Sequence, residues 1–557
     1  MTHFLSYVDA SIKANWDRKA LSNYGANTFT YKDVASEIEK MHILFEKCGI
    51  EKGDKIALCA RNSAEWCVSY FAIVSYDAVC VPLLADFLPQ NIADLTRLSD
   101  SRLLLVDKSI FGGLERGDVV PQFAGFADFC GLVDICGLKV LEDCNGKLED
   151  VTAGIANAFA KKYPKGLTPA DVNYAKEDIE ELAVISYTSG TSSSPKGVML
   201  TARSISSNVE FARKHIPADA GDTILSILPL AHIFGQIFDF VYPFTCGCHI
   251  NIFTEKPIPA RLLKALADVK PYMFLTVPLL IEKIFRAKVM PQLQTKLMRV
   301  LLHIPGLKGV ICNKVRSKLV ATFGGNVAKG GIILGGAALN KEVENVMKMI
   351  KLPYSVGYGM TECGPLLSYK RWQDFVIRSC GAVAHPGVEI RIDSEKPSRI
   401  PGEIQARGAS VMSGYYKNEE ANKATFTSDG WLKTGDMGLM DKHENIFIKG
   451  RCKNMILTAS GQNIYPEEIE DKINNLPYII ESLVVGRKNA IVALVVVDYD
   501  GAAKAGLDEK AVEQLVNDNV LALNGELAAY SKIGYIETRR DAFEKTPKQS
   551  IKRYMYS

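Results

Sequence analysis

Apolar and polar positions in the first hundred residues predict short buried strands separated by helices. Residues 55–60 and 102–107 are nearly continuous apolar runs, as in strands covered on both faces. Between them, residues 64–76 follow a helical pattern, and Val81 and Pro82 then continue the apolar character. This alternation predicts an α/β fold with mostly parallel sheets.

The pattern resumes further along the chain and changes character after residue 402. Apolar runs predict strands at residues 222–229, 249–253, 272–277, 331–334 and 354–358. After residue 402, short strands and tight turns predict a β-rich lobe, with a hairpin turn at 441–445. Beyond residue 451, mixed strands and helices predict a small α+β domain, with helices at 466–474 and 509–523 and strands at 482–485 and 491–498. The sequence therefore predicts a large multi-lobed N-terminal domain over residues 1–450 and a small C-terminal domain over 451–557.

One segment has the composition of a phosphate-binding loop. Residues 185–201 read Ile-Ser-Tyr-Thr-Ser-Gly-Thr-Ser-Ser-Ser-Pro-Lys-Gly-Val-Met-Leu-Thr, which predicts a strand, a small-residue loop, Lys196 and a helix start. Backbone N–H groups of such a loop can converge on anionic oxygens, and Lys196 adds positive charge. It is not a Walker loop, because no Gly-Lys-Ser/Thr follows the first glycine at the required spacing. An ordinary surface loop is the alternative interpretation.

Bulk properties exclude several classes of protein. The formal net charge of +3 over 557 residues gives no case for nucleic-acid binding. The 13 cysteines include no Cys-x-x-Cys pair, which favours reduced thiols in a cytoplasmic protein over a metal site. No basic-then-apolar leader opens the chain, and no run of about 18 apolar residues predicts a membrane span.

The loop at 185–201 resembles the phosphate loop of the adenylate-forming enzymes, the superfamily of acyl-CoA synthetases, luciferases and peptide-synthetase adenylation domains. Further segments resemble the motifs of that superfamily in the same order along nearly the whole chain. They are Pro229-Leu-Ala-His-Ile-Phe-Gly, Gly335-Gly-Ala-Ala-Leu, Tyr358-Gly-Met-Thr-Glu, Gly430-Trp-Leu-Lys-Thr-Gly-Asp, Gly450-Arg-Cys-Lys-Asn and Gly461-Gln-Asn-Ile-Tyr-Pro-Glu-Glu-Ile-Glu. The spelling is most similar to long-chain fatty acid–CoA ligases.

The resemblance implies a nucleotide site and assigns its residues. The residues that would hold the phosphates are Thr188, Ser189, Gly190, Thr191, Lys196 and Thr361. Those that would line the adenine are Gly336, Ala337, Gly359 and Tyr358, the last by stacking. Glu362 and Thr191 would bind Mg²⁺, Asp436 the ribose hydroxyls, and Arg451 the ribose or phosphate.

The resemblance also assigns the acid, the hinge and the thiol passage. His232 would lie where the substrate carboxylate meets the α-phosphate. Asp239 lies near an aspartate that amino-acid-activating domains use, and the surrounding motif indicates coincidence. Lys453 would be the hinge about which a mobile C-terminal domain rotates, and Gly461 would line the passage for the pantetheine arm.

The chemistry implied by the resemblance uses ATP, Mg²⁺ and coenzyme A. An ionised carboxylate attacks the α-phosphorus of ATP, so no catalytic triad is needed to activate it. Positioning and cationic donors supply most of what the protein contributes. A thiol then attacks the acyl-adenylate and expels AMP, and the small domain would present a different face in each step.

Two positions depart from the superfamily pattern. Ser193 replaces a common glycine in the phosphate loop. Ser550 occupies the position of a lysine that reaches the carboxylate and α-phosphate during adenylation, and we expect Lys548 to substitute for it. The alternatives are a plain basic tail and a non-catalytic or half-reaction relative that binds the nucleotide or acyl-adenylate.

The sequence says less about which acid is the substrate. Motif spelling and the apolar character of residues 224–253 and 272–281 favour a medium- or long-chain fatty acid over an aryl or amino acid. Residues 261–320 contain twelve Lys or Arg against Asp268 and Glu282, interleaved with apolar positions. Such a stretch predicts peripheral contact with an anionic membrane, at its inner face. A solvated helix face is the alternative.

Overall fold

The computed structural model describes residues 1–556 except 147, 189–194, 256–257, 294, 384–386, 458–461, 488–489 and 546–550. Within these residues the chain forms a mixed α/β fold with a large N-terminal part and a smaller C-terminal part. This confirms the predicted fold class. No helix in the described part of the chain has the length and apolar character needed to cross a membrane.

An eight-stranded sheet forms the centre of the N-terminal part. Its strands, in spatial order, are Gly414–Tyr415, Lys196–Thr201, Leu182–Thr188, Val79–Pro82, Lys55–Cys59, Ser101–Val106, Gly131–Asp134 and Val140–Asp143. The inner strands run parallel, while those at both edges pair antiparallel, so the sheet is mixed. Ile56 and Leu58 pack in one hydrophobic cluster and Ala57 and Cys59 in another, which explains the continuous apolar run.

Two smaller, largely parallel sheets carry other site segments. One contains Thr223–Ser226, His249–Ile252, Lys19–Asn23 and Thr28–Thr30, and the other Met273–Thr276, Gly331–Leu334 and Tyr354–Val356. The α-helices before residue 220 are Phe4–Ala14, Tyr31–Lys47, Ala64–Ser75, Pro89–Leu98, Lys108–Arg116, Leu148–Ala153, Ile155–Lys162 and Ala202–His215. Those from 230 to 350 are Ile233–Gly235, Tyr242–Thr245, Pro259–Val269, Pro278–Ile284, Met290–Leu293, Lys296–His303, Leu307–Thr322, Val327–Gly330 and Lys341–Met349, with π-helical turns at Gln236–Val241 and Phe285–Val289.

The predicted β-rich lobe is an antiparallel sheet beside a smaller one. Its strands are Val388–Asp393, Gly402–Gly408, Leu432–Met440 and Ile446–Arg451, and the smaller sheet contains Tyr358–Gly359, Leu366–Tyr369 and Ala382–Val383. One short helix, Glu419–Thr425, packs here. The predicted turn at 441–445 forms because the Asp441 carboxylate accepts hydrogen bonds from the backbone N–H groups of His443 and Asn445.

The C-terminal part has hydrophobic clusters of its own. Helices Pro466–Ile473, Tyr499–Lys504 and Glu509–Ala522 accompany the sheet of Ile479–Arg487, Ala490–Val497 and Ile533–Arg539 and the short pair Ile456–Leu457 and Asn463–Ile464. The main cluster draws all its buried members from residues 464–533. The boundary at 450/451 stays a prediction, with Arg451 ending the lobe strand Ile446–Arg451.

The helix predicted directly after Lys196 is wrong. Lys196–Thr201 is a strand, antiparallel to Leu182–Thr188, because Val198 and Leu200 fill the core on one side of the sheet. The helix Ala202–His215 begins only where the Thr201 side chain accepts a hydrogen bond from the N–H of Ser204.

Candidate functional site

Lys196 is the first residue of the strand Lys196–Thr201, which is the second strand from the edge of the eight-stranded sheet. Its side chain lies over an aromatic ring. Thr188 pairs with it across the hairpin, and the Thr188 hydroxyl donates to the Lys196 carbonyl at 3.4 Å. The Lys196 ammonium lies 4.7 Å from the centre of the Tyr415 ring. No ion pair of Lys196 occurs among the described residues, so its ammonium faces a neutral aromatic ring rather than a carboxylate. Ser189, Gly190, Thr191 and Ser193 lie outside the described residues.

Tyr415 connects Lys196 to Glu362. The Tyr415 hydroxyl donates to a Glu362 carboxylate oxygen at 2.9 Å. Burial, together with the neighbouring Glu362 charge, raises the pKa of Tyr415, so the phenol stays a donor. The strand Gly414–Tyr415 pairs with Lys196–Thr201, and this pairing fixes the position of the ring. Sequence reasoning missed Tyr415, although the Gly-Tyr-Tyr run at 414–416 was a visible signal.

Thr361 and Glu362 lie on a 3₁₀ turn, Thr361–Cys363. The chain segment just before this turn passes so close to Pro365 that it requires a glycine at position 359. A Cβ on Gly359 would lie 1.9 Å from the Pro365 carbonyl oxygen, so no side chain fits there. The N–H of Met412 donates to the Glu362 carbonyl at 2.8 Å. The turn is therefore held from both sides, with Thr361 and Glu362 half-buried.

Asp436 is the centre of a second, more buried cluster. The Tyr358 hydroxyl donates to one carboxylate oxygen at 2.8 Å, and Arg451 Nε lies 3.0 Å from the other. Burial raises the pKa of Asp436, and the Glu362 and Glu467 charges add to the increase, while Arg451 and Tyr358 oppose it. Each carboxylate oxygen of Asp436 can accept a further hydrogen bond, as the two ribose hydroxyls of the predicted nucleotide would require. Tyr358 itself is buried, so its predicted stacking on adenine stays a prediction.

The loop at Gly335, predicted to line the adenine, is in contact with the histidine motif. A Cβ on Gly335 would lie 2.7 Å from the Phe234 ring, so only glycine lets the two segments approach. Gly336 has φ +84° and is exposed, as is Ala337. His232 is half-buried and caps the short helix Ile233–Gly235, and its carbonyl accepts from the Gln236 N–H at 2.9 Å.

Asp239 lies on the π-helical turn that follows and is fully buried. Its carboxylate accepts hydrogen bonds from the N–H groups of Ile227 and Leu228, each at 3.2 Å. Burial raises the pKa of Asp239 to about 7, with these hydrogen bonds opposing the change. Asp239 therefore holds the loop that leads into the His232 motif.

A narrow apolar slot lies behind these motifs. Its walls include Phe234, Phe238, Met273, Leu275, Ile333 and Leu366. Gly357, which directly precedes Tyr358, also lines it. The slot encloses only about 10 Å³, so a ligand would have to displace its walls.

The predicted hinge residue, Lys453, comes two residues after Arg451, which pairs with Asp436. Lys453 belongs to a single 3₁₀ turn, Cys452–Asn454, and the Asn454 amide donates to Glu467 at 2.6 Å. A Cβ on Gly450 would lie 2.6 Å from a Glu467 carboxylate oxygen. Glu467 is a second residue near the site that sequence reasoning missed.

The C-terminal segment that contains the predicted adenylation lysine is described only on either side of residues 546–550. Gly461, Lys548 and Ser550 lie outside them. Lys545 and Ile551 form an antiparallel bridge across residues 546–550, and Lys552 Nζ lies 3.4 Å from a Glu544 carboxylate oxygen. Arg553 is ion-paired with Glu470.

Comparisons with known proteins identify the family of this chain. A family model described as AMP-binding enzyme matches residues 8–416, and one described as AMP-binding enzyme C-terminal domain matches residues 453–556. A long-chain-fatty-acid–CoA ligase, FadD15 of Mycobacterium bovis, is 27% identical over 84% of this chain and 77% of that ligase. The 4-coumarate–CoA ligase CCL1 of Humulus lupulus is also 27% identical, over 93% of this chain and 88% of that ligase.

A solved structure has the same fold over the full chain. ATP-bound MatB from Rhodopseudomonas palustris superposes with a TM-score of 0.76 at 22% identity, covering 100% of this chain and 98% of MatB. At this identity the likeness concerns the fold.

Proposed function

We propose a substrate and a reaction course for this chain, which belongs to the AMP-binding enzyme family and is an acid–CoA ligase of the AMP-forming type. The proposed substrate is a medium- or long-chain fatty acid. The proposed co-substrates are ATP and coenzyme A.

The apolar slot is the observation that carries the choice of acid. Apart from the Tyr369 hydroxyl, its walls offer hydrocarbon side chains and glycine. A polar acid placed there would lose hydration without gaining hydrogen bonds, at a cost of roughly 2–7 kcal/mol per polar group. Each methylene of an alkyl chain buried there would instead gain about 0.8 kcal/mol. The named relatives act on fatty and aryl acids, so an aryl acid is the competing occupant.

In the first step, a carboxylate oxygen of the acid attacks the α-phosphorus of ATP and pyrophosphate leaves with the bonding electron pair. Lys196 would draw charge from the phosphates, because its ammonium faces a ring and is not neutralised by an acid. Asp436 and Arg451 would orient the ribose. His232 and Thr361 would lie beside the reacting groups and fix their alignment.

In the second step, the sulfur of the thiol attacks the acyl carbonyl and AMP leaves. The thiol proton passes to solvent or to the departing phosphate. We propose that the C-terminal part turns about Lys453 between the steps, so that Gly461 lines the thiol passage in the second one.

Glu362 fits a Mg²⁺ site. This ion is held in proteins by one or two carboxylates together with substrate phosphates and waters, and one half-buried carboxylate at this turn matches that donor set. When bound, the ion would neutralise charge on the phosphates. Thr191 is the proposed second ligand.

Lys548 is the proposed adenylation lysine in place of Ser550. The neighbouring cation Lys552 already faces Glu544, which supports Lys548 rather than Lys552 for this role. The second candidate function, a half-reaction relative, follows from Ser550. Lys548→Ala should slow acyl-adenylate formation far more than thioester formation from pre-made acyl-adenylate. Negligible adenylation in the unaltered chain, with a large gain in Ser550→Lys, would support the half-reaction relative.

The choice of acid is tested by ATP-dependent pyrophosphate release with a panel of acids. We expect fatty acids to be activated and 4-coumarate or a dicarboxylic acid to be poor. Leu275→Trp should fill the slot and shift the preference to shorter chains, while the volume-conserving Leu275→Met serves as its control. Equal activity on aryl acids, with no change of preference in Leu275→Trp, would refute the fatty-acid assignment.

A further inference from the structure

The helix Lys296–His303 and the start of the helix Leu307–Thr322 expose an unusual run of aliphatic side chains. Leu297 is 71% exposed, Val300 62%, Ile304 40%, Leu307 42% and Val310 65%. Leu297 and Val300 are three residues apart on the helix Lys296–His303, so they share one face. Ile304 directly follows the helix, and together with Leu297 and Val300 it forms what we call the aliphatic stripe. Met298 and Leu302, on the other side of the same helix, pack against the hydrophobic core. The helix is thus apolar on both sides, although only one side is covered.

The charge around this stripe has a single sign. Between Glu282 and Glu342 the sequence contains eleven Lys or Arg and no acidic residue. Lys288, Lys296, Lys308, Lys314 and Lys318 are exposed. Within the part of the chain that the structure describes, none of these five forms an ion pair. An isolated exposed leucine is ordinary, but five exposed aliphatic residues in a segment whose charged side chains are all cationic indicate an interaction surface.

We propose that this face, comprising residues 296–310 and the basic side chains beside it, docks on a bilayer containing anionic lipids. The aliphatic stripe would enter the boundary between headgroups and acyl chains, while the lysines meet the lipid phosphates. A second copy of this chain fits poorly, because a symmetric contact would bring two basic faces together. No tyrosine, tryptophan or phenylalanine occurs between Phe285 and Phe323, so the aromatic anchors usual in protein interfaces are missing from the sequence here.

The proposal concerns a surface apart from the nucleotide site and does not depend on which acid is activated. If the acid is fatty, as proposed above, a docked enzyme would meet a substrate that partitions into the bilayer. A failure of the acid panel would leave the docking surface testable, and a failure of docking would leave the acid assignment intact.

The test is co-sedimentation of the full chain with vesicles of phosphatidylcholine alone or mixed with phosphatidylglycerol. We expect binding to the anionic vesicles that weakens as salt is raised. The double variant Leu297→Ser/Val300→Ser should reduce the binding at least tenfold, because burial of two aliphatic side chains is lost. Lys308→Gln/Lys314→Gln should reduce it about fivefold for each charge removed.

Matched controls separate this face from general stickiness. Ile480→Ser/Tyr535→Ser removes two side chains of similar exposure, 60% and 64%, from the C-terminal sheet, and Lys504→Gln/Lys510→Gln removes two exposed cations. Both controls should bind as the unaltered chain does, and all variants should keep its thermal unfolding midpoint and its turnover of a short, water-soluble acid.

Three results would overturn the proposal. They are equal binding by the face variants and the controls, equal binding to neutral and anionic vesicles, and no binding at low salt. Sedimentation velocity would show whether the stripe instead joins two copies, since Leu297→Ser/Val300→Ser would then abolish a dimer.

Discussion

The proposed nucleotide site has two sides, called here the ribose side and the phosphate side after their proposed roles, and the two differ in how their charged groups are paired. On the ribose side, Asp436 is buried and already holds Arg451 and Tyr358. On the phosphate side, Lys196 and Glu362 do not touch each other directly, and Tyr415 lies against both. The difference teaches that the ribose side is prearranged by internal pairing, while the phosphate side keeps opposite charges separated, so that each remains available to a ligand.

Glu362→Gln should produce the largest effect, because it removes the proposed anchor of the metal without changing the shape of the turn. We expect adenylation to fall about 10²–10³-fold, as when one group that stabilises developing charge is lost. Pyrophosphate release measures it. Glu389→Gln, in the same lobe and paired with Arg407, is the control and should retain full activity. A near-normal rate in Glu362→Gln would remove Glu362 from the phosphate side.

Asp436→Ala tests the ribose side. ATP binding should weaken by roughly 1.5–3 kcal/mol, the usual contribution of hydrogen bonds to a charged group. Calorimetry with ATP measures the change, and Asp429→Asn, at an exposed pair with Arg391, is the control. If ATP affinity were the same in both variants, the prearranged cluster would have a structural role only.

Asp239 sharpens the comparison, because it is buried like Asp436 but is held by backbone N–H groups. Its pKa of about 7 exceeds the unfolded value, so the folded protein binds the extra proton. The free energy of unfolding should therefore fall as pH rises from about 4 to about 7, by up to about 1.4 kcal/mol per pH unit. Asp239→Asn should flatten that slope in denaturant titrations. An unchanged slope would mean that other groups set the pH dependence.

Tyr415 allows the phosphate side to be separated into its two contacts. Tyr415→Phe keeps the ring beneath Lys196 and loses the hydrogen bond to the Glu362 carboxylate, so transition-state stabilisation should fall by roughly 1.5–3 kcal/mol. Tyr415→Leu removes the ring as well and should cost more. Single-turnover adenylation compares them. Equal rates in the two variants would show that the ring contributes nothing.

Some strands and helices of this fold are predictable from sequence, because their patterns are local. The run at residues 55–60 and the helix at 466–474 needed no knowledge of their partners. The helix predicted directly after Lys196 was wrong for a non-local reason. Val198 and Leu200 form the buried face of a strand only because the strand Leu182–Thr188 pairs with them.

The site was predictable only where its residues belong to ordered motifs. Tyr415 was missed because its partner Glu362 is 53 residues away and no spacing rule joins them. The pairing of Asp436 with Tyr358, 78 residues apart, likewise requires the folded chain. The limits of the two domains stay predictions. The role of Lys453 as a hinge also stays a prediction, because it concerns a movement between two positions of the C-terminal part.

The contact between Gly335 and Phe234 has a consequence for the order in which substrates enter. The tip of the Phe234 ring meets the loop that would receive adenine, and the ring also forms a wall of the apolar slot. If the acid occupies the slot as proposed, it displaces this wall, and the ring lies so close to Gly335 that even a Cβ there would be 2.7 Å from it. In the proposed arrangement, acid and nucleotide would share the Phe234 ring as a common wall, so their affinities should be thermodynamically coupled, each changing the other by the same factor.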